Sequence, residues 1–275
     1  PGEVVGKRLL DVFPNHRGKS VFNAYINAAT TGTTQIIEEV FVENMIGKPL
    51  WLRLVVESMG EDIAIMAVDI TEHKKNAERL RRMLDGTVNT ILQILDTRDP
   101  YTAGHERRVA EIAMGIAAKM GLPPDQIDGL RTACLLHDVG KVIVPSEILS
   151  MPRKLSSVEF KLIQVHPESG YDILKDIEFP WPVARATLEH HERLDGSGYP
   201  RGLKGHELCL ESKILAVADV VEAMSSHRPY RPSLGIDAAL KEISSNRGIL
   251  YDSEVVDACL FVFKEDARAS LRQYR

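Results

Sequence analysis

Cysteine is scarce in this 275-residue chain: Cys134, Cys209 and Cys259 lie far apart, with no Cys-x-x-Cys pair among them. That speaks against a thiolate zinc site and a redox dithiol. An odd number of cysteines fits a reducing cytoplasm better than a disulfide framework. Positive charge is not in excess either. Lys and Arg number 34 against 39 Asp and Glu, a formal net charge of −5, which argues against duplex nucleic acid or an anionic membrane as the main partner. A small anionic substrate stays open, because a bound metal reverses the local field. No apolar run approaches the ~18 residues of a membrane span, and no signal peptide is visible. The chain opens on Pro1 inside a patterned segment, so it is read as a piece of a longer protein. Hydrophobic residues at 44% and charged residues at 27% are ordinary for a globular chain, which rules out disordered, collagen-like and disulfide-rich secreted classes.

Residues 1–71 differ from the rest. A helical stretch over 20–29 leads into the turn cluster Thr30-Thr31-Gly32-Thr33-Thr34. Three runs of strand character follow, over 35–43, 50–57 and 63–68, with turn residues at Gly47-Lys48-Pro49 and Gly60-Glu61-Asp62 between them. Helix followed by an antiparallel meander is an α+β pattern. The exit Ala67-Val68-Asp69-Ile70-Thr71-Glu72-His73-Lys74 and the strand Pro49-Leu50-Trp51-Leu52-Arg53 resemble the later part of a PAS sensor domain. The resemblance implies a truncated sensor whose first strands are missing. Residues 72–97 read as one linking helix in which Ala77, Leu80, Leu84, Thr87, Ile91 and Ile94 form a seam of three- and four-residue steps. That seam suits a homodimer through the helix, or equally an amphipathic helix packed on its own domain. Asp85-Gly86 blemishes its middle. Residues 98–275 show helical patterning punctuated by Gly121-Leu122-Pro123-Pro124, Pro145, Pro152, Pro167 and Pro180, and no strand alternation. The expected architecture is multi-domain, an all-α helical bundle preceded by the short α+β segment.

The histidines carry the chemistry. Seven of nine fall between His105 and His227. His105 continues a face with Val109, Ile112 and Ile116; His137 follows Ile127, Leu130 and Cys134; His166 follows Leu162 and Ile163. His190 and His191 follow Thr187 and Leu188, and Asp219 follows Leu215. Helical arithmetic therefore turns these polar groups, with Asp138, towards a core. A lone buried histidine is more often a hydrogen-bonded core residue, but here that explanation would have to hold five times, beside two aspartates. Metal coordination accounts for all of them at once. The ligands are separated by about one helix and its connection, so a bundle brings them to one level. Imidazole and carboxylate without thiolate suit iron, manganese or zinc, and five His with two Asp suit two ions, with Asp138 able to bridge.

The motif His137-Asp138-Val139-Gly140-Lys141 is the dyad of HD phosphohydrolases, and His190-His191-Glu192-Arg193-Leu194-Asp195-Gly196-Ser197-Gly198-Tyr199-Pro200 resembles the signature of their HD-GYP subfamily. His166-Pro167-Glu168-Ser169-Gly170 and Arg228-Pro229-Tyr230-Arg231 fit as well, so the resemblance runs from Asp99 to Lys241. It implies a bacterial cytoplasmic signalling enzyme that hydrolyses cyclic di-GMP to pGpG and/or GMP with a hydroxide activated by two divalent ions, iron or manganese. One ion would be held by His105, His137, Asp138 and Asp219, and the other by His166, His190 and His191 with Asp138 shared. The resemblance further implies that Lys141 contacts the phosphate, Arg228 and Arg231 the dinucleotide, and Asp99 a guanine. Glu192 is expected to orient a ligand histidine, and the Gly198-Tyr199-Pro200 loop to meet a signalling protein. Three-metal members carry a Glu four residues before the first ligand histidine. Tyr101 stands there in this chain, so two metals are expected rather than three. Two alternatives remain: a module that senses a cyclic dinucleotide without cutting it, and a phosphodiesterase for another cyclic dinucleotide. His16, His73, His206 and His227 are expected at the surface.

Overall fold

The computed structural model describes residues 6–12, 20–43, 48–60, 62–99, 104–227 and 233–272. Tyr101, Arg228, Arg231 and His16 lie outside them. The chain divides into two units, Pro1–Asp85 and Gly86–Arg275.

The first unit contains α1 (Leu9–Val12), α2 (Ser20–Thr31) and a sheet of β1 (Gln35–Val42), β2 (Leu50–Met59) and β3 (Asp62–Asp69). The strands pair antiparallel in the order β1-β2-β3. Because side chains alternate along a strand, Leu50, Leu52, Leu54 and Val56 of β2 share one face and are buried. Helix α2 covers that face with Val21, Tyr25 and Ala28, spaced at helical intervals. The expected helix and meander are thus present, with β2 two residues longer than the expected 50–57. The Asp69-Ile70-Thr71 exit is stitched to the sheet. Thr71 Oγ1 accepts from Trp51 N at 2.9 Å, Ile70 N donates to Trp51 O at 2.9 Å, and Asp69 Oδ1 takes Thr71 N at 2.9 Å. Asp69 is therefore an N-terminal cap for the helix that follows.

That helix, α3 (Thr71–Arg98), continues without a break through Gly86. In its second half Val88, Leu92 and Leu95 are buried. This seam lies one position on from the Thr87, Ile91 and Ile94 of the sequence reading, and Ile94 is exposed. Leu80 and Met83, in the first half, are exposed too.

The second unit is all-α, as expected. Its helices are α4 (His105–Lys119), α5 (Pro124–Leu136), α6 (Ser146–Leu149), α7 (Ser157–Ile163), α8 (His166–Leu174), α9 (Val183–Glu189), α10 (Leu210–Ser225), α11 (Ile236–Ser245) and α12 (Ser253–Arg272), with a 3-10 turn over Val139–Ile143. Helix α4 ends in a Schellman arrangement. Gly121, at φ 79°, donates to Ala118 O and Leu122 N to Ala117 O, both at 3.1 Å. Helix α10 is apolar nearly all round: Ile214, Leu215, Val217, Ala218 and Val221 are fully buried. They pack with Val109, Ala113 and Ile116 of α4, Leu130 and Leu136 of α5, and Val255 and Cys259 of α12.

One close approach registers the bundle. A Cβ on Gly140, in the 3-10 turn, would fall 1.9 Å from His166 O and 2.5 Å from Gly170 N. Both neighbours are backbone of α8 and cannot move aside. The turn carrying Asp138 therefore lies directly against the helix that begins with His166. Gly140→Ala is expected to destabilise the second unit by at least the ~1–3 kcal/mol of an overpacked core, read as a fall in its thermal unfolding midpoint. An unchanged midpoint would show that this contact does not set the register.

Candidate metal centre

Six of the seven expected ligands lie at helix ends. His105 opens α4, His137 and Asp138 follow α5, His166 opens α8 directly after α7, and His190 and His191 follow α9. Asp219 alone sits mid-helix, in α10. The sequence reading placed them along inward helix faces; the helix ends are where the structure puts them. The reason is chemical. The last carbonyls of a helix have no intrahelical N–H to accept, and an imidazole N–H can supply one. His137 Nδ1 lies 2.6 Å from Cys134 O, His166 Nδ1 2.7 Å from Ile163 O, and His190 Nδ1 2.7 Å from Thr187 O. A carbonyl only accepts, so each Nδ1 carries the hydrogen and each Nε2 keeps its lone pair.

Those lone pairs converge. His166 Nε2 stands 3.2 Å from His190 Nε2 and 3.2 Å from Asp138 Oδ1. The other oxygen, Asp138 Oδ2, is 3.4 Å from His137 Nε2 and 4.0 Å from His105 Nε2. His105 Nε2 is in turn 3.2 Å from Asp219 Oδ1. Asp138 thus has one oxygen on each of two clusters, His166-His190-His191 and His105-His137-Asp138, within each of which the candidate ligand atoms lie within 4.8 Å of one another. His105, His137, Asp138, His166, His190 and Asp219 are buried, and His191 is half-buried.

The electrostatics follow from this packing. Burial would raise Asp138, but Lys141, His137 and His166 outweigh it and hold the carboxyl well below the usual range. Asp219 is held low in the same way, burial being outweighed by His105, His137 and His191. Burial, reinforced by neighbouring imidazoles, pushes His190 and His191 well below the ordinary histidine value, so they are neutral. The Nε2 atoms of His166 and His190 face each other at 3.2 Å, and neutral nitrogens with ionised carboxylates are the donors a divalent ion requires. The residues present fit a metal.

Lys141 donates to Asp138 Oδ2 at 2.6 Å. With Asp138, Asp99 and Glu106 it lines a recess of about 10 Å³, room for about one water. Asp99 is buried there. Burial, with Asp138 adding to it, pushes Glu106 above the usual carboxylate value.

Glu192 does not take the place expected of it. Its Oε1 accepts from Arg201 N at 2.7 Å and Gly202 N at 3.1 Å, and its Oε2 from Leu203 N at 3.0 Å. A buried carboxylate that meets three backbone donors is committed to the loop, not to an imidazole. The group that orients a ligand histidine is Glu222, which the sequence reading missed. Its Oε2 takes the Nδ1 hydrogen of His105, and its Oε1 accepts from Arg108 Nε and Ser226 Oγ, each at 2.7 Å. Burial opposes its ionisation, but His105, Ser226 and Arg108 bring Glu222 down to about 2. The signal was available: Glu222 lies three residues after Asp219, on the same side of α10 and within its apolar stretch that begins at Ile214.

The residues of the Gly198-Tyr199-Pro200 loop are half-buried, and one of them meets the candidate centre. The Tyr199 ring lies 4.7 Å from that of His191 at 33°, and the tyrosine is half-buried. Its hydroxyl is pushed up by burial and by the carboxylates of Asp219 and Asp138. His73, His206 and His227 are exposed, as expected.

Comparison with known proteins agrees with this geometry. A family model described as HD domain matches residues 89–255. The cyclic di-GMP phosphodiesterase response regulator RpfG of Xanthomonas campestris pv. campestris is 38% identical over 176 residues, 63% of this chain and 47% of that protein. The 3'3'-cGAMP-specific phosphodiesterase 3 of Vibrio cholerae is 35% identical over 233 residues, 79% of this chain and 51% of its own length. The chain spans about half the length of the curated relatives it matches. Among solved structures, Bd1817, an HDG"Y"P protein from Bdellovibrio bacteriovorus, aligns with a TM-score of 0.52 at 18% identity, over 71% of this chain and 67% of that one, a likeness of fold. With the family model covering more than half its residues, the helical unit that carries the two histidine clusters lies within the matched region, and the chain belongs to the HD-domain family.

Proposed function

We propose that this chain is a phosphodiesterase of the HD-GYP type that opens cyclic di-GMP to pGpG and/or GMP at a binuclear centre. The observation that carries the reading is Asp138, one carboxylate with an oxygen on each of two tautomer-fixed imidazole clusters and with Lys141 on its rim. His105, His137, Asp138 and Asp219 would hold one divalent ion, and His166, His190 and His191, with Asp138 shared, the other. Iron or manganese suits these donors. Bound there, the ions supply Lewis acidity, making water a nucleophile near neutral pH and drawing charge from the phosphate. Everything else in the mechanism falls to the protein. The three helix-end carbonyls and Glu222 keep four imidazoles in the tautomer that offers Nε2 inward. Lys141, which donates to the shared carboxylate, is on this reading the charge-assisted partner of a phosphate oxygen. Burial of the ligand set excludes bulk water from all but the His191 side.

The relatives named above support a cyclic dinucleotide substrate. A 3'3'-cGAMP substrate is the second reading, favoured by the 35% identical Vibrio cholerae protein with that name. The complete ligand set counts against a module that binds without cutting. Arg228 and Arg231 remain candidates for the dinucleotide's anionic face. Residues 1–71 are read as a truncated PAS-like sensor and 72–97 as the linking helix. The exposed Leu80, Met83 and Ile94 of that helix favour a homodimer through it. Among the described residues no helix is long and apolar enough to cross a membrane.

Anaerobic incubation with cyclic di-GMP and Fe(II) or Mn(II), followed by chromatography, is expected to yield pGpG or GMP, with no product after chelation. His137→Ala is expected to lose turnover by at least about 100-fold. Intact cyclic di-GMP and cGAMP in the presence of bound metal would overturn the reading. Glu222→Gln is expected to weaken metal affinity about 10- to 100-fold, measured by chelator competition. Affinity equal to that of the parent chain would show that Glu222 does not act through His105.

A further inference from the structure

Helix α7 is anomalous in the second unit: none of its residues is buried, although Val158, Phe160 and Leu162 are apolar and exposed. The core does not hold it. Polar staples do. Ser156 and Glu159 form a reciprocal capping box, and Arg153 grips Glu159 with two N–H groups at 3.0 and 2.7 Å. Its end is registered to the metal centre, because the carbonyl of Ile163 is the one that orients His166. A helix fixed without burying its apolar side chains keeps them for something outside the core.

The neighbourhood of Phe160 says what. Its ring is 45% exposed and meets the Tyr199 ring edge-to-face, at 6.3 Å and 81°. Tyr199 lies in turn against His191, within a loop pinned by Glu192 through three backbone N–H groups. Two ring contacts therefore lead from a candidate metal ligand to an exposed aromatic face. A nucleotide whose phosphate reaches the centre must send its base outward past the ribose, and His191 lies on the centre's less buried side. An aromatic held rigid beside that exit is the surface on which a nucleobase stacks, since every base has a π-face.

We propose that Phe160 is the stacking platform for one purine base of the dinucleotide, with Tyr199 as the wall between platform and metal centre. The inference rests on the cyclic dinucleotide reading and adds to it a base-binding surface two ring contacts away from the candidate ligand His191. Phe160 is a binding residue here and takes no part in bond breaking.

The test uses the metal-loaded chain and a phosphorothioate analogue of cyclic di-GMP, which keeps both bases and resists hydrolysis, with Kd read by calorimetry. Phe160→Leu is expected to weaken binding about tenfold, within the range measured for loss of one base–aromatic stack. Phe160→Tyr and Phe160→Trp are expected to restore it, with metal content equal in all. Equal Kd for the leucine variant, equal loss in the leucine and aromatic variants, or no binding by the parent chain would each overturn the proposal. Hydrolysis is scored separately with cyclic di-GMP. A parent chain that binds the analogue through Phe160 yet cuts nothing would leave the platform standing and overturn the phosphodiesterase reading.

Discussion

The structure of the second unit turns on one bond made three times, from an imidazole Nδ1–H to the carbonyl three residues back at a helix end. It settles a backbone acceptor that the helix leaves unpaired, fixes the tautomer of the ring, and aims the other nitrogen inward. His137, His166 and His190 all use it. For the three rings to meet, α5, α7 and α9 must each end at one place. The packing of α10 against α4 and the bare backbone contact at Gly140 arrange that. The apolar core sets the helix axes, and the helix ends do the chemistry.

Much of this was legible in the sequence, for a definite reason. Histidines and aspartates placed where apolar periodicity demands a hydrophobe stand out in any helical chain, so the groups that meet at the candidate centre could be named without coordinates. The helical class of the second unit was equally plain, as was the helix and meander of the first. What failed depended on side-chain direction. Glu192 follows His191 directly, yet its carboxylate turns to Arg201, Gly202 and Leu203, and no periodicity reports which N–H groups a loop will present. Glu222 was overlooked although it breaks the apolar face of α10 as Asp219 does. The buried seam of α3 fell one position from the expected one. Val88, Leu92 and Leu95 meet the core, and three- and four-residue steps on a single helix suit a flat packing face as readily as a partner strand of a coil.

The charge of the site is arranged to demand cations. Asp138 and Asp219 are held ionised, and Glu222 is anionic beside them. Lys141 and Arg108 offset part of this. Left to these groups, the field would repel a phosphodiester. On the proposed function, metal loading and affinity for an anionic substrate would therefore be linked at one site.

The two ways of orienting a ligand histidine differ in how a lineage can alter them. The acceptors for His137, His166 and His190 are peptide oxygens, which no codon change removes while the helices keep their ends. The acceptor for His105 is the side chain of residue 222, and that is open to substitution. Three of the rings are thereby insulated from point mutation beyond their own positions. The fourth has an adjustable support, so evolutionary tuning of any ion that His105 would help hold is channelled through residue 222 of α10.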